Sequence, residues 1–116
     1  MADRTIRHMV REMQIEVRDT DLQPDRAADI LARLTALLGN IGDEEREADL
    51  ALAQVKLTLY QQHKAASRAK MFAEVTPEYQ RHREAKDCRV LAIELIRSLK
   101  TFLRTKTEER QWAGHQ

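Results

Sequence analysis

Ala48, Leu52, Val55, Leu59, Gln62, Ala66, Ala69 and Ala73 recur at spacings of 4, 3, 4, 3, 4, 3 and 4. A heptad seam of this kind requires a helix with a partner laid along it. A second seam, Leu50, Ala53, Leu57 and Tyr60, runs beside the first and stops at Lys64. Residues 48–60 therefore need partners on two sides, and residues 61–73 on one. The helix is expected to start at Asp43, with Glu44, Glu45 and Glu47 favoured by the positive end of its dipole. It should run to about Ala73, a length of ~45 Å at ~1.5 Å per residue.

The partner is written next in the chain. Thr76 suits an N-cap, Pro77 the first helical position and Glu78 the first turn. A following helix to about Gln111 carries the seam Ala85, Cys88, Ala92, Leu95, Leu99 and Phe102, widened by Leu91, Ile93, Ile96 and Leu103. A turn near 74–76 would place Leu59 against Leu91 and Val55 against Leu95. The wide apolar zones then coincide, which predicts a long antiparallel helical hairpin with a narrow alanine-lined tip at 61–87. Alanine buries little area, so at ~25 cal/mol per Å² this tip is held weakly, and a second copy of the chain would stiffen it.

Two shorter helices are expected upstream. Ile6, Met9, Val10, Met13 and Val17 share one helical face within residues 4–18, although Met13, Ile15 and Val17 also alternate as in a strand. After the polar break Asp19–Gln23, Pro24 opens a helix with Asp25 in its first turn. Its stripe is Ala27, Ile30, Leu31, Leu34, Leu37 and Leu38, and Gly39 and Gly42 are expected to end it. The fold class is thus all-α: a single domain of residues 1–116, with N-terminal helices in 1–42 covering the apolar end of a hairpin at 43–111 to form a small bundle.

Composition narrows the chemistry. One cysteine in 116 residues excludes a disulfide scaffold and a thiolate zinc site. The longest apolar run is four residues, too short to span a membrane. Met1-Ala2-Asp3-Arg4 has no apolar core behind its charges, so no secretory leader is expected. Cys88 lies on the apolar seam, where a lone thiol acts as a small hydrophobe. Glu78 and His82 stand one turn apart as half a metal site, and the hairpin would bring His63 near Asp87 and His82 near Arg68. Paired inward Glu-x-x-His motifs are missing. No Ser-His-Asp set or phosphate loop is present. The chain is expected to be non-enzymatic, with no cofactor and no metal.

The net charge of +1 hides a strongly uneven layout. Residues 43–60 hold 2 basic and 5 acidic groups, whereas residues 61–90 hold 7 and 4. The basic block places Lys64, Arg68, Lys70, Arg81, Arg83 and Lys86 near Phe72 and Tyr79. Cations that neutralise phosphates beside rings that stack on bases suit single-stranded nucleic acid. The plainer alternative is a solvated face, with Glu74 neutralising Lys70 and Glu84 neutralising Arg81. A second basic run, Arg97, Lys100, Arg104 and Lys106, complements the C-terminal end of a helix dipole. Trp112 suits an oligomer contact. Gly39 to Asp43 matches a helix-turn-helix only loosely.

From Leu34 to Arg110 the chain resembles small helical proteins encoded by tailed phages. The resembling pieces are Leu37-Leu38-Gly39-Asn40-Ile41, Ala69-Lys70, Thr76-Pro77-Glu78-Tyr79, Glu84-Ala85-Lys86, Arg97-Ser98-Leu99-Lys100, Leu103-Arg104 and Glu108-Glu109. The resemblance covers about two-thirds of the chain and leaves the first 20 residues outside. The hairpin is similar in architecture to phage recombination mediators, which oligomerise and bind single-stranded DNA beside a recombinase. The resemblance implies a phage recombination or replication accessory protein, homo-oligomeric and located in the host cytoplasm. It would bind single-stranded DNA or a recombinase or annealing partner. Two other roles fit: a module inhibiting a host defence or host enzyme, with Asp43–Asp49 mimicking nucleic acid, and a virion structural or assembly protein.

Overall fold

The computed structural model describes residues 5–114. The reading of Met1-Ala2-Asp3-Arg4 lies outside them. Four helices account for nearly all of this span, and no strand occurs among the described residues: α1 (Ile6–Val17), α2 (Pro24–Gln62), α3 (Ala66–Glu74) and α4 (Pro77–Gly114). The all-α expectation holds, and the strand alternative for Met13–Val17 is excluded. The chain divides into two compact units. One comprises residues up to Leu38 together with those from Val90, and the other Gly39–Arg89.

Two helix boundaries differ from expectation. The stop at Gly39 and Gly42 is absent, because α2 passes through both glycines and neither adopts a positive φ. Ala27, Leu34, Ile41 and Ala48 are spaced seven apart, and all four are buried. The apolar phase therefore continues across the glycines, and its burial outweighs the ~1 kcal/mol that each glycine costs a helix relative to alanine. With no loop at 39–43, the helix-turn-helix match disappears.

The second difference lies at His63–Ala65, where the helix expected to reach Ala73 is interrupted. Beyond Gln62 the seam offers only alanine, so an unbroken extension would bury little. The break allows the nine-residue α3 to bury Ala69 and Ala73 within its own unit. At Thr76 the expected punctuation is present. The Thr76 hydroxyl donates to the Ala73 carbonyl at 2.7 Å and accepts from the Tyr79 N–H at 3.2 Å. It thereby closes α3 and caps α4.

In the unit of residues 5–38 and 90–114, Val10 and Met13 of α1, Ile30 and Leu34 of α2, and Leu95, Ile96 and Leu99 of α4 are buried. The Glu16 carboxylate of α1 accepts two hydrogen bonds from Arg26 of α2, at 2.6 and 2.7 Å. Arg26 also bonds Asp29, which in turn pairs with Arg33. Trp112 lies within α4 rather than after it and is 71% exposed.

In the unit of residues 39–89, the buried side chains are Ile41, Ala48, Leu52, Ala69, Ala73, Ala85 and Cys88. Cys88 occupies the seam position expected of it. The second seam of α2 lacks a partner here: Leu50 and Leu57 are 61% and 60% exposed. α2 and α4 run antiparallel, in a register far from the expected one. Turning at 74–76 would set Glu44 against Lys106, yet it binds Arg81, while Glu45 binds Arg89 and Asp49 approaches His82. Within residues 39–89 the chain reverses through the earlier break at His63–Ala65.

Candidate nucleic-acid interface

The expected basic residues separate into two groups because the reversal comes early. Lys64 stands in the link between α2 and α3, while Arg68, Lys70 and Phe72 lie on α3. From Gln61 to Ala73 there are three basic side chains and no carboxylate. Lys64, Arg68 and Lys70 are exposed and take part in no ion pair among the described residues. The neutralisation expected of Glu74 is not formed. Phe72 stacks on His63, with centroids 4.7 Å apart and rings inclined by 15°. His63 is therefore committed to this ring rather than placed near Asp87.

The second group lies on α4. Arg81 is held by α2: its Nε and Nη2 donate to the Glu44 carboxylate at 2.9 and 2.8 Å, and Glu47 lies 3.6 Å away. The hydrogen bond from Arg81 holds the Glu44 carboxyl below its ordinary range, against the opposing effect of burial. The same bond raises the Arg81 guanidinium. A guanidinium clamped by a carboxylate has few donors left for a phosphate. Arg83 and Lys86 are exposed and make no ion pair among the described residues. Tyr79 is half-buried at the capped start of α4, which reduces the ring surface open to a base.

The acidic start of the expected third helix is occupied internally. Asp43 pairs with Arg46, Glu44 and Glu47 with Arg81, Glu45 with Arg89 at 2.7 Å, and Asp49 with His82 at 3.4 Å. Glu44, Glu45 and Glu47 thus face guanidinium groups of their own unit. His82 thus meets Asp49 rather than Arg68, and no cluster of three metal-ligating side chains occurs among the described residues. No described helix is long and apolar enough to cross a membrane. A shallow groove of about 340 Å³, lined in part by Val55, Leu59, Thr76 and Glu78, contains no catalytic constellation. In the second basic run, Lys106 lies 5.7 Å from the Phe102 ring centre and 3.4 Å from Glu109.

Two features of this region escaped the sequence reading. The His63–Phe72 stack depends on the break at 63–65, for which Gln61-Gln62-His63-Lys64-Ala65 contains no glycine or proline. The clamp on Arg81 joins side chains 37 positions apart, and only the register of α2 on α4 brings them together. Comparison with known proteins finds no family model, no curated relative and no solved structure that matches this chain.

Proposed function

We propose that this chain is a non-enzymatic accessory protein of phage recombination or replication, acting in the host cytoplasm as a helical-bundle oligomer on single-stranded DNA. The observation supporting the reading is that Lys64, Arg68 and Lys70, without internal partners, stand on or next to the short helix that carries the half-exposed ring of Phe72. Cations take the phosphates and the ring stacks on a base. Arg83 and Lys86 extend the contact along α4, and Arg81 contributes through its hold on α2. A single chain offers few contacts, so multivalency among copies supplies the affinity. The exposed stripe Leu50, Ala53, Leu57 and Tyr60 is the surface on which copies meet.

A salt titration of oligothymidylate binding tests the reading. Five phosphate contacts, from Lys64, Arg68, Lys70, Arg83 and Lys86, at ~0.7 each give a slope of about −3.5 in log affinity against log salt. Substituting Lys64→Glu and Lys70→Glu should flatten that slope, and affinity that ignores salt would overturn the assignment. Sedimentation should show a mass that is a multiple of the 13.5 kDa chain, reduced by Leu50→Gln with Leu57→Gln.

A further inference from the structure

The bend that ends α2 has no local cause. Gln61-Gln62-His63-Lys64-Ala65 contains no glycine or proline, and glutamine, lysine and alanine are among the better helix formers. Ala65 nevertheless stands in extended geometry, at φ −93° and ψ 122°, and caps α3 with no side-chain hydrogen bond. The N–H groups of Lys64, Ala65, Ala66 and Ser67 meet no acceptor among the described residues. A continuous helix would give each of them a carbonyl four residues back, on Tyr60, Gln61, Gln62 and His63. Little holds the bend in place. α3 buries Ala69 and Ala73, while Met71, Phe72 and its C-cap residue Val75 are 69%, 46% and 79% exposed. One ring stack, His63 on Phe72, spans the turn. The seam meanwhile runs through the bend without losing phase: Val55, Leu59, Gln62, Ala66, Ala69 and Ala73 keep the spacing 4, 3, 4, 3 and 4. It is also complementary to itself. An antiparallel pairing centred on Lys64 would set Val55 against Ala73, Leu59 against Ala69 and Gln62 against Ala66, a larger side chain opposite a small one each time. That pairing is the same whether the returning helix belongs to one chain or to a second.

We propose that α2 and α3 fuse into one helix through residues 63–65 and that the chain then exchanges residues 66–114 with a second copy. The α2 of each copy takes the α3 and α4 of the other. The pairs Glu44–Arg81, Glu45–Arg89 and Asp49–His82, closed within one chain in this structure, then form between chains. Exchange repeats contacts that already exist, which makes it a low-cost route to a dimer. Locally it gives up the His63–Phe72 stack and gains the backbone hydrogen bonds missing at the bend. The closed form wins in dilute solution, because across so short a link its two arms meet at an effective concentration on the order of mM. The inference rests on the fold and not on the DNA reading, and it is separate from the contact proposed at Leu50 and Leu57.

Ala66→Pro separates the two forms. Proline fits the first position of α3, where the N–H is unused and the preceding residue is already extended. Inside a fused helix it removes a hydrogen bond and collides with the preceding turn. All chains compared carry Leu50→Gln and Leu57→Gln, so that exchange alone is read. After refolding from urea, sedimentation should show monomer in equilibrium with a dimer of twice 13.5 kDa. Ala66→Pro should weaken dimerisation by about a hundredfold or more and keep the helical circular-dichroism signal. His63→Ala, which removes the stack, should strengthen dimerisation about tenfold. A chain carrying Arg81→Glu and Arg89→Glu, refolded together with one carrying Glu44→Arg and Glu45→Arg, should form a one-to-one dimer. Neither should dimerise alone at the same concentration, because only exchange between the two matches their charges. A natural hinge that leaves the chain monomeric at ~1 mM, dimerisation unmoved by Ala66→Pro, loss of helical signal in that variant, or failure of the mixed pair to associate would each overturn the proposal.

Discussion

Arg81 illustrates how a residue type and its neighbours can mislead. In sequence it is one of six cations beside two aromatic rings, whereas in the structure it is held by Glu44 and Glu47. Both partners of the main pair are partly open to solvent, so the bond is worth at most about 1 kcal/mol. Replacing Arg81 by Ala should lower unfolding stability by no more than that, measured by urea denaturation. The salt slope of oligothymidylate binding should stay where it was. A slope reduced as much as by Lys70→Glu would place Arg81 in the interface after all. Lys64, Arg68 and Lys70 were legible as candidates because no carboxylate lies between Gln61 and Ala73. The clamp was not, because Glu44 belongs to another helix and reaches Arg81 through a register that composition does not record.

At the level of elements, α3 is the weakest part of the molecule. Nine residues fall below the ~12–15 at which isolated helices become even marginally stable. Its N-cap, Ala65, has extended geometry and no side-chain hydrogen bond. Ala65→Asp would supply the missing acceptor and favour the helix dipole, stabilising α3 by about 1 kcal/mol. Hydrogen exchange should show amides 66–74 of the natural chain exchanging faster than those around Leu34 and Leu99, and slowing in the Ala65→Asp variant. Equal protection of these amides in the two proteins would contradict the account. The capped start of α4 was readable from Thr76-Pro77-Glu78 because capping is a local interaction. The continuity of α2 ran against the stop expected at Gly39 and Gly42, although the sevenfold spacing from Ala27 to Ala48 crosses both glycines. The break at His63–Ala65 was not readable, because it follows from where Ala69 and Ala73 find cover.

For the whole molecule, the most general expectation concerns acid. Each unit contains a carboxylate lowered chiefly by a hydrogen bond from arginine: Glu16 by Arg26 in one, Glu44 by Arg81 in the other. A carboxyl whose folded pKa lies below its unfolded value, ~4.3 for Glu, stabilises the fold above that value. The contribution is lost as pH falls through the folded pKa. Thermal unfolding should therefore show little change from these two groups between about pH 7 and 5 and a decline below ~4. The Glu16→Gln, Glu44→Gln variant should start less stable at neutral pH and decline less steeply. Parallel pH profiles for the two proteins would show that neither bond contributes.

The helical class of this protein, its four-and-three apolar repeat and the cap at Thr76 were determined by sequence alone. Each rests on interactions within a few residues of one another, where side-chain type and spacing suffice. Tertiary structure alone decided where the chain turns back, which carboxylate meets which cation, and that Met71, Phe72 and Val75 face outward. Those outcomes depend on which distant surfaces are available to bury a seam. An alanine seam contributes too little burial for its own pattern to dictate the choice.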